Sequence, residues 1–377
     1  MKKEGASMKF YFPNYKKNIV NISATFNRML GHSTDISTLP KLEKYLKKCY
    51  KNVVFIILDG FGIHPIKMNL DKNDILRKNI KQTLTSVFPS TTTNATTTLM
   101  CADYPFNHGW FGWSIYFEEL NKTVEVYRAK DYYTQEEVDS NFSRTRLPFE
   151  AYYKNANNYT VNTVFPGFIK DGVEKESHHP YSSRKDMFEN IKKCCLKEGK
   201  QFIYCYHDNP DYTMHDYGVT SKEAKNVIRE ISSYVEDLHK SLENSLIVIT
   251  ADHGHIDIDG YIDIYNNKEL MDCLKTPMYL EPRATAFKVK EDKKENFKNI
   301  FNKCYHKDFK LFEVDYLVKK GVFGPVNEKN RDLLGDYIAV CKTNKQFEFC
   351  ESSNKFKGHH TSLTKEMLVP LIIIESI

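Results

Sequence analysis

Three short hydrophobic runs stand out along the chain, because each is rich in β-branched and aromatic residues. They cover residues 51–58, 201–206 and 245–250. Continuous hydrophobicity of this kind is typical of strands that are buried on both faces, as in a parallel sheet covered by helices. Each run is followed by a pair of residues that contains an aspartate, namely Asp59-Gly60, His207-Asp208 and Ala251-Asp252.

A helical pattern lies between the second and third runs. Residues 220–223 read Thr-Ser-Lys-Glu, a capping-box pattern, and hydrophobic residues then recur at helical spacing as far as residue 242. Strand, helix and strand with short connections predict an α/β fold with a parallel sheet. In such sheets the chemistry lies beyond the carboxyl ends of the strands. The candidate carboxylates there are Asp59, either Asp208 or Asp211, and Asp252.

The rest of the chain has weaker periodicity and no clear linker. We interpret residues 50–377 as one catalytic domain with insertions near 115–185 and 265–350. Residues 1–49 contain ten Lys and Arg residues against three acidic ones, which predicts a basic N-terminal arm and helices that pack on the core.

Composition excludes several classes of protein. The formal charge of +5 is too small for a dedicated nucleic-acid-binding protein. No apolar run approaches the ~20 residues of a membrane span, and mean hydropathy is −0.54. Nine cysteines without a Cys-x-x-Cys pair, and no apolar segment behind the charged N-terminus, favour a cytoplasmic chain with reduced cysteines. The sequence leaves the oligomeric state open.

Carboxylate and imidazole residues recur in pairs near the predicted strand ends. Asp252 and His253 directly follow the third run and are closed by Gly254. Asp211 and His215 are four residues apart, so on a helical turn their side chains share one face. Oxygen and nitrogen ligands together suit zinc or another first-row metal.

A hydroxyl-rich segment at residues 88–98 reads Phe-Pro-Ser-Thr-Thr-Thr-Asn-Ala-Thr-Thr-Thr. Ser and Thr favour helix N-termini, where backbone N–H groups and the helix dipole attract an anion. A threonine hydroxyl becomes a nucleophile toward phosphorus when a metal binds it. Three Asp residues, at least three His residues and this Thr are the components of a two-metal phosphoryl-transfer site.

Six short motifs occur in one order: Leu-Asp59-Gly, Phe-Pro-Ser-Thr-Thr92, Asn-His108-Gly, Pro-Asp211-x-x-x-His215-x-x-Gly218, Ala-Asp252-His253-Gly and Gly-x-His360. This order resembles the alkaline phosphatase superfamily, specifically its nucleotide pyrophosphatase/phosphodiesterase-like (type I phosphodiesterase) branch. The resemblance runs from about residue 50 to 375. It implies an alkaline-phosphatase-like α/β sandwich, with a mostly parallel central sheet, helices on both faces and inserted cap elements.

The resemblance also implies roles for individual residues. One metal is expected on Asp59, Asp252 and His253, the other on Asp211, His215 and His360, and Thr92 is the expected nucleophile between them. Thr92 is chosen because the family's nucleophile lies ten residues before a Gly that is Ala102 here. His360 is preferred to its neighbour His359 because of the Gly-x-His spacing. The expected cofactors are two divalent ions, with Zn²⁺ first and Mn²⁺ as the alternative.

Two positions depart from the family pattern. Cys101-Ala102 replaces a Thr-Gly pair, which we expect to affect packing only. Trp113 stands where many nucleotide pyrophosphatases place a phosphate-contacting Asn, five residues after His108. Trp113 is therefore a candidate substrate-binding residue, through stacking or its indole N–H, with packing in the core as the alternative.

The function implied is a metal-dependent phosphoric diester hydrolase or nucleotide pyrophosphatase. It would act on a small-molecule phosphodiester or nucleotide through a covalent phospho-threonine. The alternative is a phosphomonoesterase of the same superfamily. That branch places an Arg two residues after its nucleophile, where this chain has Asn94. A non-catalytic binding protein on the same fold is a third hypothesis, and a sulfatase is disfavoured because no Cys begins a Cys-x-Pro-x-Arg pattern.

Overall fold

A computed structural model describes residues 7–169 and 177–376. Residues 1–6 of the expected N-terminal arm, 170–176 of the first expected insertion, and 377 lie outside the described residues. The helices are α1 (Ile19–Met29), α2 (Pro40–Leu46), α3 (Ile63–Asn69), α4 (Ile75–Lys78), α5 (Thr92–Cys101), α6 (Pro105–His108), α7 (Phe142–Arg146), α8 (Arg184–Leu196), α9 (Asp211–Tyr217), α10 (Lys222–Ser241), α11 (Lys268–Met271), α12 (Lys294–Tyr305) and α13 (Val314–Lys319).

The strands are β1 (Asn52–Leu58), β2 (Ile80–Thr85), β3 (Ser114–Phe117), β4 (Lys122–Glu125), β5 (Lys130–Asp131), β6 (Thr160–Pro166), β7 (His178–Tyr181), β8 (Gln201–His207), β9 (Ser245–Thr250), β10 (Ile256–Asp257), β11 (Gly260–Ile262), β12 (Tyr279–Glu281), β13 (Ala284–Phe287), β14 (Phe309–Glu313), β15 (Tyr337–Cys341), β16 (Lys345–Phe347), β17 (Gly358–His359) and β18 (Leu368–Ser376). Short 3₁₀ helices cover Ile264–Asn266, Glu291–Lys293, Glu328–Leu334 and Lys365–Met367.

The three hydrophobic runs form adjacent parallel strands at the centre of the first sheet. Its seven strands have the order β2-β18-β9-β1-β8-β6-β7. β1 pairs in parallel with β8 and β9, while β18 runs antiparallel to β9 and β2, so the sheet is mostly parallel. Every residue of β1 and β9 is buried, which explains why these strands are hydrophobic throughout rather than alternating.

Helices flank the first sheet, as the sequence pattern predicts. The periodic stripe of α10 buries Ile228, Ile231 and Val235 in the core of this sheet. The N-cap of α10 is Ser221, whose Oγ accepts the N–H of Ala224, so the capping pattern is displaced by one residue from the expected Thr220. On the amino-terminal side of the chain, α1 packs against α5.

A second sheet combines the two segments that were interpreted as insertions. Its order is β14-β15-β13-β12-β3-β4-β5, and its strand pairs are antiparallel. The joint between the two segments is the pairing of Leu280 in β12 with Ser114 in β3. Residues 114–131 of the first segment and 279–341 of the second therefore contribute strands to one sheet, with a separate hydrophobic core that includes Trp110, Phe111 and Leu280. The expected insertion near 115–185 is not one unit, because its later strands β6 and β7 belong to the first sheet.

No helix among the described residues is both long enough and apolar enough to cross a bilayer.

Candidate active site

The carboxyl ends of β1, β8 and β9 lie together at one edge of the first sheet, because their parallel register aligns the last residues of the three strands. The residues that follow each strand are therefore brought side by side. Asp59 follows β1, the pair Asp252-His253 follows β9, and α9 begins at Asp211 after the short turn that ends β8.

The first group of side chains, here called the Asp59 cluster, consists of Asp59, Asp252 and His253. All three are buried, with exposed fractions of 2%, 0% and 0%. The Nε2 atom of His253 lies 3.2 Å from Oδ1 of Asp59 and 3.3 Å from Oδ2 of Asp252. Ligand atoms this close can share one metal ion.

Thr92 lies directly against the Asp59 cluster. Its Oγ1 is 3.3 Å from Oδ2 of Asp59 and 3.3 Å from Nε2 of His253. Thr92 is the first residue of α5, and the N-cap residue Thr91 makes no side-chain hydrogen bond to the helix end. The first turn of α5 thus presents a hydroxyl together with backbone N–H groups that can bind an anion.

The second group, here called the Asp211 cluster, consists of Asp211, His215, His255 and His360. Oδ2 of Asp211 is 3.3 Å from Nε2 of His215, and its Oδ1 is 3.7 Å from Nε2 of His360. His255 is closer, with Nε2 2.5 Å from Oδ1 of Asp211. Nε2 of His253 is 4.0 Å from the same oxygen, so the two clusters adjoin.

The expected histidine ligands are oriented by main-chain carbonyls. Nδ1 of His215 bonds the carbonyl of Gly358 at 2.9 Å, and Nδ1 of His360 bonds that of Ser90 at 3.0 Å. Nδ1 of His253 bonds the carbonyl of the next residue at 3.1 Å. Because a carbonyl only accepts, each Nδ1 carries a proton, which leaves Nε2 as the atom that a metal can bind when the ring is neutral, as in metal-ligating histidines.

The charges in the site are unbalanced without a cation. Burial, and then the negative charge of Asp211, raise the pKa of Asp252 to about 7. Burial and the neighbouring carboxylates also raise the pKa of Asp59 well above its usual range. Burial acts in the same direction on Asp211, but His215 and His255 outweigh it and hold the pKa of Asp211 low. Divalent ions would offset this repulsion, so the residues fit two metal sites.

Further hydrogen bonds fix the carboxylates of the Asp59 cluster. The hydroxyl of Tyr206, in β8, donates to Oδ2 of Asp59 at 2.5 Å. Oδ1 of Asp252 accepts the backbone N–H groups of Gly60 at 3.1 Å and His253 at 2.8 Å. Its Oδ2 is buried and has no hydrogen-bond partner among the described residues, as expected of an oxygen reserved for a cation.

Two glycines leave room for the ring of His255. Gly60 has φ +71°, and a Cβ there would lie 3.0 Å from Cα of Asp211 and 3.0 Å from Cδ2 of His255. A Cβ on Gly358 would lie 2.6 Å from the carbonyl oxygen of Met214 and 3.2 Å from Nδ1 of His255. These contacts explain why glycine occupies both motif positions beside the Asp211 cluster.

A cavity of about 260 Å³ opens in front of Thr92 and the Asp211 cluster. Trp113 lines it, and its backbone N–H donates to Oε1 of Glu281 at 2.7 Å. Burial raises the pKa of this glutamic acid to about 7. Other walls of the cavity are aromatic, formed by Tyr132, Phe349 and Phe356.

The structure brings the seven expected metal-site residues to one place, and Trp113 lines the adjoining cavity. Of the two carboxylates considered after the second strand, Asp211 belongs to the site. Asp208 lies beside His207, with its Oδ1 3.4 Å from Nδ1 of that ring, and lines a different cavity. The catalytic and ligand roles of these residues remain predictions.

Sequence reasoning missed three residues of the site. His255 had a signal, since it is the second histidine within the five residues that follow β9. Tyr206 had no such signal, because a tyrosine within a buried strand is ordinarily interpreted as a residue of the hydrophobic core. Glu281 had none either, because it reaches the cavity from the second sheet, far away in sequence.

Comparisons with known proteins agree with this geometry. The sequence profile of the type I phosphodiesterase / nucleotide pyrophosphatase family matches residues 53–363. A search of curated proteins found no match. Among solved structures, murine ectonucleotide pyrophosphatase / phosphodiesterase 5 is 18% identical with a TM-score of 0.63, covering 86% of this chain and 88% of that one.

Two further solved structures have the same fold. Human ectonucleotide pyrophosphatase / phosphodiesterase 5 is 17% identical with a TM-score of 0.63, covering 86% of this chain and 87% of its own. Phosphonoacetate hydrolase from Sinorhizobium meliloti 1021, in complex with phosphonoformate, is 15% identical with a TM-score of 0.62, covering 86% of this chain and 90% of its own.

The fold is that of the solved ectonucleotide pyrophosphatase / phosphodiesterase structures, and the family profile defines the class of protein as a hydrolase acting on phosphoric ester or pyrophosphate bonds. The chain belongs to the type I phosphodiesterase / nucleotide pyrophosphatase family, whose members act on phosphodiester or pyrophosphate bonds. The resemblance seen in the sequence motifs is thereby confirmed at the level of family and fold.

Proposed function

We propose that the chain is a metal-dependent phosphodiesterase or nucleotide pyrophosphatase that works through a phospho-threonine at Thr92. The observation that carries this proposal is the position of Thr92 Oγ1, 3.3 Å from both Asp59 and His253 at the start of α5. A hydroxyl at a helix N-terminus, against a cluster of metal-type ligands, is suited to attack on a phosphoryl group.

Two divalent ions, with Zn²⁺ preferred to Mn²⁺, are the proposed cofactors. Such ions supply Lewis-acid stabilisation of developing charge and lower the pKa of a bound hydroxyl or water. One ion would be held by Asp59, Asp252, His253 and Thr92. The other would be held by Asp211, His215 and His360.

The residues of the chain then account for a double displacement. Thr92 Oγ1 forms a bond to phosphorus as the bond from phosphorus to the leaving oxygen breaks. The N–H groups of the first turn of α5 bind the phosphoryl oxygens. Water then cleaves the phospho-threonine, which restores the hydroxyl and releases a phosphate monoester.

A nucleotide diester or pyrophosphate is the proposed substrate. An inactive variant of the murine relative was solved in complex with AMP, which supports a nucleotide. The charge of the cavity favours a diester over a monoester, because Arg128 is the one Lys or Arg among the described residues that line it. Arg128 is already paired with Glu125, at 3.1 Å.

A comparison of two nitrophenyl substrates at fixed zinc tests this proposal. We expect kcat/KM for a nitrophenyl nucleotide diester to exceed that for nitrophenyl phosphate by at least about tenfold, since the dianion meets more uncompensated charge. Equal values or a monoester preference would identify a phosphomonoesterase instead. Absence of turnover on every phosphate ester, in protein with its metal sites filled, would support a binding protein.

A further inference from the structure

His359 is a buried polar side chain that the proposed mechanism does not use. Its residue is 3% exposed, and it lines the cavity in front of Thr92. Neither Nδ1 nor Nε2 has a hydrogen-bond partner in the parts of the chain that the structure describes. Buried polar atoms without partners are rare in native proteins, so this ring calls for a functional explanation.

The backbone holds the His359 ring in place. Gly358 and His359 form β17, which pairs with Ile256 and Asp257 of β10. The ring centroid lies 4.8 Å from that of Phe356 and 5.1 Å from that of His215. Packing of this kind holds the ring in one place at the wall of the cavity.

The position of His359 also selects which part of a substrate it can reach. Thr92 contacts the Asp59 cluster, whereas the ring of His359 packs against His215 and His360 of the Asp211 cluster. In an in-line displacement the leaving oxygen departs on the side away from the attacking oxygen. The Asp211 cluster, and His359 beside it, therefore lie on the leaving-group side.

We propose that His359 is a substrate-binding residue that recognises a phosphoryl group on the leaving side of the scissile bond. An imidazole carries at least one N–H in either protonation state, and a phosphoryl oxygen is a strong acceptor for it. The inference rests on the proposed function and narrows its substrate class to pyrophosphate bonds. Ser353 and Asn354 line the same cavity and add polar groups to its wall.

Two thymidylyl substrates that differ only in the leaving group test the inference. Thymidine 5′-triphosphate loses pyrophosphate, whereas the p-nitrophenyl ester of thymidine 5′-monophosphate loses nitrophenolate. His359→Phe keeps an aromatic ring but removes the N–H. We expect it to lower kcat/KM for the triphosphate about tenfold or more, and to leave that for the nitrophenyl ester within about threefold.

A second variant and a metal measurement separate binding from support of the fold. His359→Gln retains an N–H donor, and we expect it to recover a large part of the triphosphate activity. Both variants should keep the zinc content of the unsubstituted protein, whereas His360→Ala, which removes an expected ligand, should lower it.

Each remaining outcome overturns one proposal and not the other. Equal losses on the two substrates, no loss on either, or loss of zinc from His359→Phe would show that His359 does not read the leaving group. Hydrolysis of the nitrophenyl ester without any hydrolysis of the triphosphate would also overturn the inference, while leaving the phosphodiesterase proposal intact. Hydrolysis of neither substrate by the zinc-loaded protein would instead remove the proposed function.

Discussion

The Nε2 atom of His255 lies 2.5 Å from Oδ1 of Asp211, although the two residues are 44 positions apart in the chain. Nδ1 of His255 has no partner among the described residues. The short contact therefore indicates that Nε2 carries the proton and donates it to the carboxylate. A hydrogen bond of this kind fixes the orientation of an expected metal ligand.

Removing the His255 ring should weaken metal binding. Since outer partners of ligands typically contribute 10- to 100-fold in affinity, we expect His255→Ala to raise the dissociation constant of zinc by roughly that factor. His255→Gln keeps an N–H near the position of Nε2 and should restore part of the affinity. Competition with a chromophoric chelator measures the zinc affinity of the unsubstituted chain and of both variants. Equal affinities would show that metal binding does not need the hydrogen bond.

Thr92 should be the only one of three adjacent threonines that turnover requires. We expect Thr92→Ala to lose at least about three decades in kcat, because no attacking hydroxyl remains, and Thr92→Ser to retain measurable turnover. Thr91→Ala and Thr93→Ala are the matched controls. If one of these controls were inactive and Thr92→Ala active, the nucleophile would be the adjacent threonine instead of Thr92.

The number of bound metal ions should depend on both the Asp59 cluster and the Asp211 cluster. Elemental analysis of the purified chain should give about two divalent ions, and each of His215→Ala and Asp252→Asn should lower that number and abolish activity. Treatment with a chelator should abolish activity, and zinc should restore it. Full activity without stoichiometric metal would contradict the assignment of both clusters.

The metal-free protein should have a pH dependence set in part by Asp252. Its folded pKa of about 7 lies above the unfolded value near 3.9, so ionising it opposes folding. This cost is absent below about pH 4 and complete above about pH 7. Metal-free Asp252→Asn should therefore gain Tm relative to the unsubstituted chain, and gain more at about pH 8 than at about pH 5.

Added zinc is the control for that comparison. With zinc present, the unsubstituted chain should become the more stable of the two, because Asn is a poorer ligand and binding to the folded state adds stability. A Tm difference that does not change with pH in the metal-free proteins would contradict the electrostatic account of Asp252.

Glu281 should affect the pH profile of catalysis. Burial raises its pKa to about 7, so it changes from neutral to negative near that pH. A negative Glu281 in the cavity repels an anionic substrate, which predicts a fall in kcat/KM above about pH 7. Glu281→Gln should reduce that fall without changing zinc content, and an unchanged profile would show that Glu281 does not face the substrate.

Local signals in the sequence were sufficient for the three central strands of the first sheet, and together with the motif order they named most of the candidate site residues. A strand buried on both faces must be hydrophobic throughout, so β1, β8 and β9 could be located within one residue at their ends. Parallel strands carry their chemistry at one edge, so polar residues after them could be grouped before any contact was known. Asp211 and His215 needed only the periodicity of a helix.

Other features of the protein were decided only by the tertiary structure, because they depend on contacts between segments that are distant in the sequence. The weakly periodic segments gave no hint that Leu280 pairs with Ser114 and joins them in one sheet. That sheet brings Glu281 to the cavity, and the pairing of β17 with β10 holds His359 there with both ring nitrogens unpartnered. Periodicity and capping act within a few residues, and so the sequence by itself determined the three central strands, helix α10 and the ligand types. Hydrogen bonding, burial and charge between distant residues became definite only when folding placed them within a few ångströms.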